Sequence, residues 1–108
     1  MSDITSPRVN SARLADHVGR HVRLAGKVLK VAGDAAIVEA SDGGNVEVKI
    51  LGSQAATIKD QYVEIVGQVT EPGVVKMLNC INLGDKLDMA IVDFVVEKWH
   101  SPQFSSMF

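Results

Sequence analysis

The chain has 108 residues, 46% of them hydrophobic and 22% charged, with a net charge of −2. Such a length suits one domain with a modest core, and the charge argues against a strongly basic nucleic-acid binder while leaving room for a local basic patch. A single cysteine, Cys80, excludes a disulfide framework and fits a reducing compartment. The apolar runs fall far short of a membrane span, and the opening Met-Ser-Asp-Ile-Thr-Ser-Pro lacks the apolar run of a signal peptide.

Residues 1–8 read as a tail. Asn10 offers an N-cap, with Val9 before it and Leu14 at the staple spacing. A short helix over 11–18 follows, with Leu14 and Val18 inward and Gly19 as its stop. From Arg20 to Val31 the period becomes two: Val22, Leu24, Gly26 and Val28 alternate with His21, Arg23, Ala25 and Lys27. The alternation slips at Leu29 and Val31, which predicts a bulge near Gly26 to Leu29. Ala35 to Ala40 is a short strand, Ser41-Asp-Gly-Gly-Asn45 a hairpin turn, and Asn45 to Ile50 the returning strand. Gly52 to Asp60 is irregular, with one helical turn at Gln54 to Thr57.

Tyr62 to Thr70 alternates again, with Val63, Ile65, Gly67 and Val69 inward and Glu64 and Gln68 outward. Glu71-Pro-Gly-Val74 is a turn. Val74 to Leu83 is the last strand, apolar on both parities, so one of its sides is expected to be covered, with the terminal helix as the candidate cover. Asp85 to Trp99 reads as a helix with Asp85 as its cap, Asp88 on the first turn, and Ser101-Pro102 ending it. On a helical projection Leu87, Ile91, Val92, Phe94, Val95, Val96 and Trp99 fill an apolar arc of roughly 220°. A helix docking only on its own domain needs a stripe of roughly 100°. Two edges follow: Leu87, Ile91, Phe94 and Val95 on one, and Val92, Val96 and Trp99 on the other. One is expected to meet the domain and one a partner. Ala90, Asp93, Glu97 and His100 form the remaining polar strip.

The order is helix, five strands, helix, which points to an all-β, five-stranded antiparallel OB-fold barrel with a C-terminal oligomerisation helix. The expected divisions are a tail over 1–8, the barrel over 9–84, an assembly helix over 85–100 and a tail over 101–108.

No catalytic constellation emerges. His17 and His21 are separated by Gly19, His100 is distant in sequence, and Cys80 has no recognisable base, so neither a metal site nor a nucleophile is expected. Gly43-Gly44 precedes no phosphate-binding helix. No cofactor is implied. The first third is locally basic, and Arg23 and Lys27 share a strand parity; with Tyr62 they are the candidate DNA-backbone contacts. Single-strand-binding barrels carry aromatic stacking platforms, but Phe94, Trp99, Phe104 and Phe108 all lie in the terminal helix or tail. That is where a protein interface wants anchors.

Arg8-Val-Asn10, Leu24-Ala-Gly-Lys-Val28, Val38-Glu-Ala-Ser-Asp-Gly-Gly44, Val63-Glu-Ile-Val-Gly-Gln-Val69 and the terminal helix with His100-Ser-Pro-Gln-Phe104 occur in an order that resembles the smallest subunit of replication protein A, in its fungal form. The resemblance covers nearly the whole chain. It implies an OB barrel in a nuclear heterotrimer that binds single-stranded DNA in replication, repair and recombination. It also implies a three-helix bundle made with the large and middle subunits. The alternatives are an autonomous single-strand binder and an OB subunit of a telomere-capping complex; an enzyme is not expected.

Overall fold

A computed structural model describes residues 6–100. Its first strand, β1, is Arg8–Val9, which pairs in parallel with β2, His21–Ala32. The backbone is already engaged at Pro7, whose carbonyl accepts from the Arg23 N–H at 2.9 Å. The sheet therefore begins inside the stretch expected to be a tail. Among the described residues there are six strands rather than the expected five, because a two-residue strand has no periodicity to read. The others are β3 (Ala35–Ala40), β4 (Asn45–Lys49), β5 (Tyr62–Glu71) and β6 (Val74–Gly84). Their order is β1-β2-β3-β4-β6-β5, and β5 also pairs with β2, so the sheet closes on itself. It is not wholly antiparallel: besides β1, the β4–β6 pairing at Glu47–Lys49 is parallel.

Closure works because alternating side chains fill the interior. Val22, Leu24, Val38, Val46, Val48, Val63, Ile65, Val69 and Val75 are fully buried in one cluster with Val9 and Leu14. The predicted slip in β2 is present, with register shifting between Val28 and Lys30 and Leu29 left out of the pairing and exposed. The two-faced pattern of β6 has a similar cause. Val75 and Met77 point inward. Leu78 is the extra residue where the register jumps from Met77 to Asn79, and Cys80 then returns to the core side. One bulge reverses the parity and leaves Ile81 and Leu83 outside. Burial, with a smaller contribution from Asp60, pushes the Cys80 thiol pKa up, as suits a small hydrophobe.

Two glycines let the strands curl this tightly. A Cβ on Gly26 would collide with Val38 and the Glu39 carbonyl, and one on Gly67 with the Lys76 carbonyl. One end of the sheet is covered by a 3-10 helix at Gly52–Thr57, where Ala55 and Ile58 pack against the core. Asn82 holds this segment by accepting from the Lys59 and Asp60 N–H groups and donating to the Thr57 carbonyl.

The first helical element, Ser11–His17, is also a 3-10 helix. Leu14 is buried as expected, but Val18 lies outside it and is 46% exposed. Asn10 does not cap it. Asp42, from the β3–β4 hairpin, takes that role: its carboxylate accepts from the Ser11 and Ala12 N–H groups, the Ser11 hydroxyl and the Gly44 N–H. Burial alone would raise the Asp42 pKa, but these hydrogen bonds, led by Ser11, hold it below the ordinary carboxylate value.

Gly67→Ala should destabilise the chain by about 1–3 kcal/mol in urea unfolding, because the neighbouring strand cannot yield to an inserted methyl. Gly52→Ala, where the space is open, should stay within about 0.5 kcal/mol.

A candidate protein-assembly interface

The terminal helix α1 spans Met89–Trp99, later than the expected Asp85 start. Asp88 is the cap: its Oδ1 accepts from the Ala90 and Ile91 N–H groups at 3.0 and 3.2 Å. The helix ends at His100, whose N–H bonds the Val96 and Lys98 carbonyls. The expected terminator Pro102, with Phe104 and Phe108, lies outside the described residues.

The facing of α1 departs from the expectation most. The polar strip is the docked edge. Asn10 Nδ2 donates to Asp93 Oδ1 at 2.9 Å and to Glu97 Oε2 at 2.7 Å. The Ser41 hydroxyl donates to Asp93 at 2.8 Å, and Arg13 makes a two-pronged pair with Glu97 at 2.6 and 3.0 Å. His100 Nε2 lies 2.8 Å from the Arg8 carbonyl, and its ring stands edge-on to His17 with centroids 5.8 Å apart. Two histidines distant in sequence are thus neighbours. Val96 is buried beside this polar edge and Val92 is half-buried.

The other edge faces away. Ile91 is 61% exposed, Phe94 63%, Val95 47% and Trp99 48%. Lys98 lies over the Phe94 ring, 5.9 Å from its centroid. Of the two edges drawn from the sequence, Val92 and Val96 go inward and Ile91, Phe94 and Val95 outward. Trp99 departs from its assigned edge, and Leu87, just before the helix, is half-buried. A cavity of about 230 Å³ runs between α1 and the sheet, lined by Ala25, Leu83, Leu87, Ile91, Val92 and Val95, with Arg8 and Glu64 among its polar groups.

The candidate DNA contacts are placed differently. Glu64, expected on an outward face, is only 7% exposed. It is held between Arg8, at 3.0 Å, and Arg23, at 3.4 Å. Burying such a carboxylate is tolerated because it is paired with two guanidinium groups. Arg23 is therefore engaged with the sheet itself. Lys27 sits opposite Tyr62 on β5 and Glu39 on β3, so its cross-strand neighbours include a carboxylate. Arg23 and Lys27 share a strand face but do not form one uncompensated basic patch.

The docking partners Asn10, Arg13 and Ser41 had no individual signal in the sequence. A partial signal existed in α1, where Asp93 and Glu97 stand one turn apart on the same edge. Among the described residues, no helix is long and apolar enough to cross a membrane.

Hydrogen bonds from Arg13 and then Asn10 hold the Glu97 pKa at about 2, against an ordinary 4.5; the charges of Arg13 and His100 add to this. Its side chain is 47% exposed, so screening leaves the pair worth about 0.2–1 kcal/mol. The folded value is the lower one. The contribution is therefore present above about pH 4.5 and is lost as pH falls toward 2. Glu97→Gln should be less stable than the parent at pH 7, and the gap should close between these values in urea titrations run across the range.

The sequence profile of the replication factor A protein 3 family matches residues 1–105. No curated protein matches in sequence. Among solved structures, U. maydis replication protein A bound to single-stranded DNA is similar at 30% identity and a TM-score of 0.81, over 95% of this chain and 94% of that one. The telomere-capping protein Ten1 of S. pombe is similar at 14% identity and TM-score 0.71, over 87% and 96% of the two chains. The S. pombe Stn1-ten1 complex gives 15% and 0.69, over 87% and 90%. These last two share the fold. With its profile match running through strands and helix alike, the chain belongs to the replication factor A protein 3 family.

Proposed function

We propose that this chain is the small structural subunit of a heterotrimeric replication protein A. In this reading the closed sheet, over residues 9–84, is an OB barrel, and the segment 85–100 is the assembly element that joins the large and middle subunits. The complex binds single-stranded DNA in replication, repair and recombination, which places its work in the nucleus.

The observation that carries the reading is the outward apolar face of α1. Ile91, Phe94, Val95 and Trp99 are exposed together on one helix, and a contiguous patch of large apolar and aromatic side chains marks an interaction surface. A helix whose polar edge is already satisfied by its own domain has this face available for partner helices, with Leu87, Val92 and Val96 completing the interface toward the sheet. The chain of U. maydis replication protein A bound to single-stranded DNA that is 30% identical to this one supports the family assignment.

An autonomous DNA-binding role is less favoured. Among the described residues Tyr62 is the sole Phe, Tyr or Trp in the strands, and Arg23 is engaged with Glu64. Contact with DNA then runs chiefly through the complex, with Lys27 and Tyr62, and Arg23 behind them, as the backbone contacts this chain adds. The telomere-capping alternative rests on shared architecture, and co-expression with each set of partners distinguishes the two.

Val95→Asp should leave the circular dichroism spectrum of the free subunit unchanged and abolish co-purification with the two partner subunits, since an unpaired charge in a buried interface loses its hydration without compensation. Val92→Asp should disturb the seat of α1 on the sheet. Continued assembly by both variants would overturn the reading.

The free subunit should bind a labelled oligonucleotide more weakly than micromolar at physiological salt. In the assembled complex, Lys27→Ala should lower the salt slope of binding by at most about one, the value for one phosphate contact.

A further inference from the structure

The hydrophobic effect by itself would turn α1 the other way. Its outward side chains carry more apolar surface than Val92 and Val96, and burial is favoured in proportion to apolar area. A place to put them exists. The cavity of about 230 Å³ between α1 and the sheet is lined by Ala25, Leu83 and Leu87, and also by Ile91 and Val95, which are 61% and 47% exposed. A roll of α1 about its own axis would carry these two side chains toward the sheet.

Hydrogen bonds oppose that roll. Asn10 is 2% exposed, and its Nδ2 serves Asp93 and Glu97, one turn apart, at once. Its Oδ1 has no partner, so a flipped carboxamide would set that oxygen against two carboxylates. Rolling α1 would strip Asn10 of both acceptors, and a buried donor left unpaired is costly. Arg13 and Ser41 would lose their carboxylates in the same movement.

We propose that Asn10 is a positioning residue: by pairing with Asp93 and Glu97 it fixes the roll of α1 in the free subunit, holding the assembly face outward against a closed arrangement in which Ile91 and Val95 fill the cavity beside the sheet. The inference rests on the assembly reading above and adds how the face is kept available. Asn10 touches no partner in this account; it acts through α1. A subunit whose competent state is only a fraction of the population assembles as though its concentration were reduced by that fraction.

The test measures association and dissociation rates of the full-length subunit with the immobilised pair of large and middle subunits. Asn10→Ala should slow association by roughly tenfold, the effect of a closed state outnumbering the latched one by about nine to one, and leave dissociation within about twofold. Arg13→Glu, which sets a carboxylate against Glu97 and so works against the same seat of α1, should slow association in the same way. Wild-type association by both single variants overturns the proposal. So does slowed association accompanied by an equally raised dissociation rate, which would mean only a damaged interface. Loss of assembly in Val95→Asp alongside normal rates in Asn10→Ala would retain the assembly reading and reject the latch.

Discussion

The carboxylate of Asp42 is the contact on which the functional end of this molecule depends. It stands at the tip of the β3–β4 hairpin and gathers the Ser11 and Ala12 N–H groups, the Ser11 hydroxyl and the Gly44 N–H. A 3-10 helix as short as Ser11–His17 has little stability of its own, and Asp42 supplies both its cap and its attachment to the sheet. Gly44 is needed for the approach, since a Cβ there would meet the Ser11 hydroxyl. Once this segment is seated, Asn10 and Arg13 face α1 from a fixed position, and Ser41 adds a third donor from the hairpin. The placement of the terminal helix is thus inherited from a turn about fifty residues earlier in the chain.

Two polar clusters on this side of the sheet perform different tasks. Asn10, Arg13 and Ser41 engage carboxylates that arrive on α1, so they determine how the helix sits. Arg8 and Arg23 engage Glu64 within the sheet, which fixes a charged patch beneath the apolar cavity. Neither cluster belongs to the core: the buried cluster is made of strand side chains with Leu14 and Ile50 and contains no residue of α1. The sheet can therefore close and be stable by its own alternating residues, while α1 is attached from outside by directional bonds. An attachment of that kind leaves apolar surface of α1 exposed.

Much of the sheet was legible because period-two alternation is a local signal. Val22 to Val28, Val46 to Ile50 and Val63 to Val69 each turn the expected alternate side chains inward, although Ala25, Glu64 and Val66 on the opposite parity are buried as well, and the slip at Leu29 announced its bulge. Gly19, Gly43 and Gly73 take the positive φ angles their turns need. The ambiguity of β6 had a definite cause: a bulge at Leu78 reverses the parity, and one strand read alone does not show where its register with β5 jumps. β1 was missed for a related reason, since Arg8–Val9 is a strand only through its pairing with β2.

The sequence by itself determined the alternating strands, the turns, the family resemblance and the width of the apolar arc on α1, because each depends on residue order within a short window. Which way that arc faces was decided by the tertiary structure. Asp93, Glu97 and His100 read as a solvent strip until Asn10, Arg13, Ser41 and the Arg8 carbonyl are brought against them. Those partners lie 52 to 92 positions away in the chain. Hydrophobic periodicity records how much of a helix wants to leave water. A buried donor such as Asn10 decides which edge must turn inward, and only the folded chain shows where that donor stands.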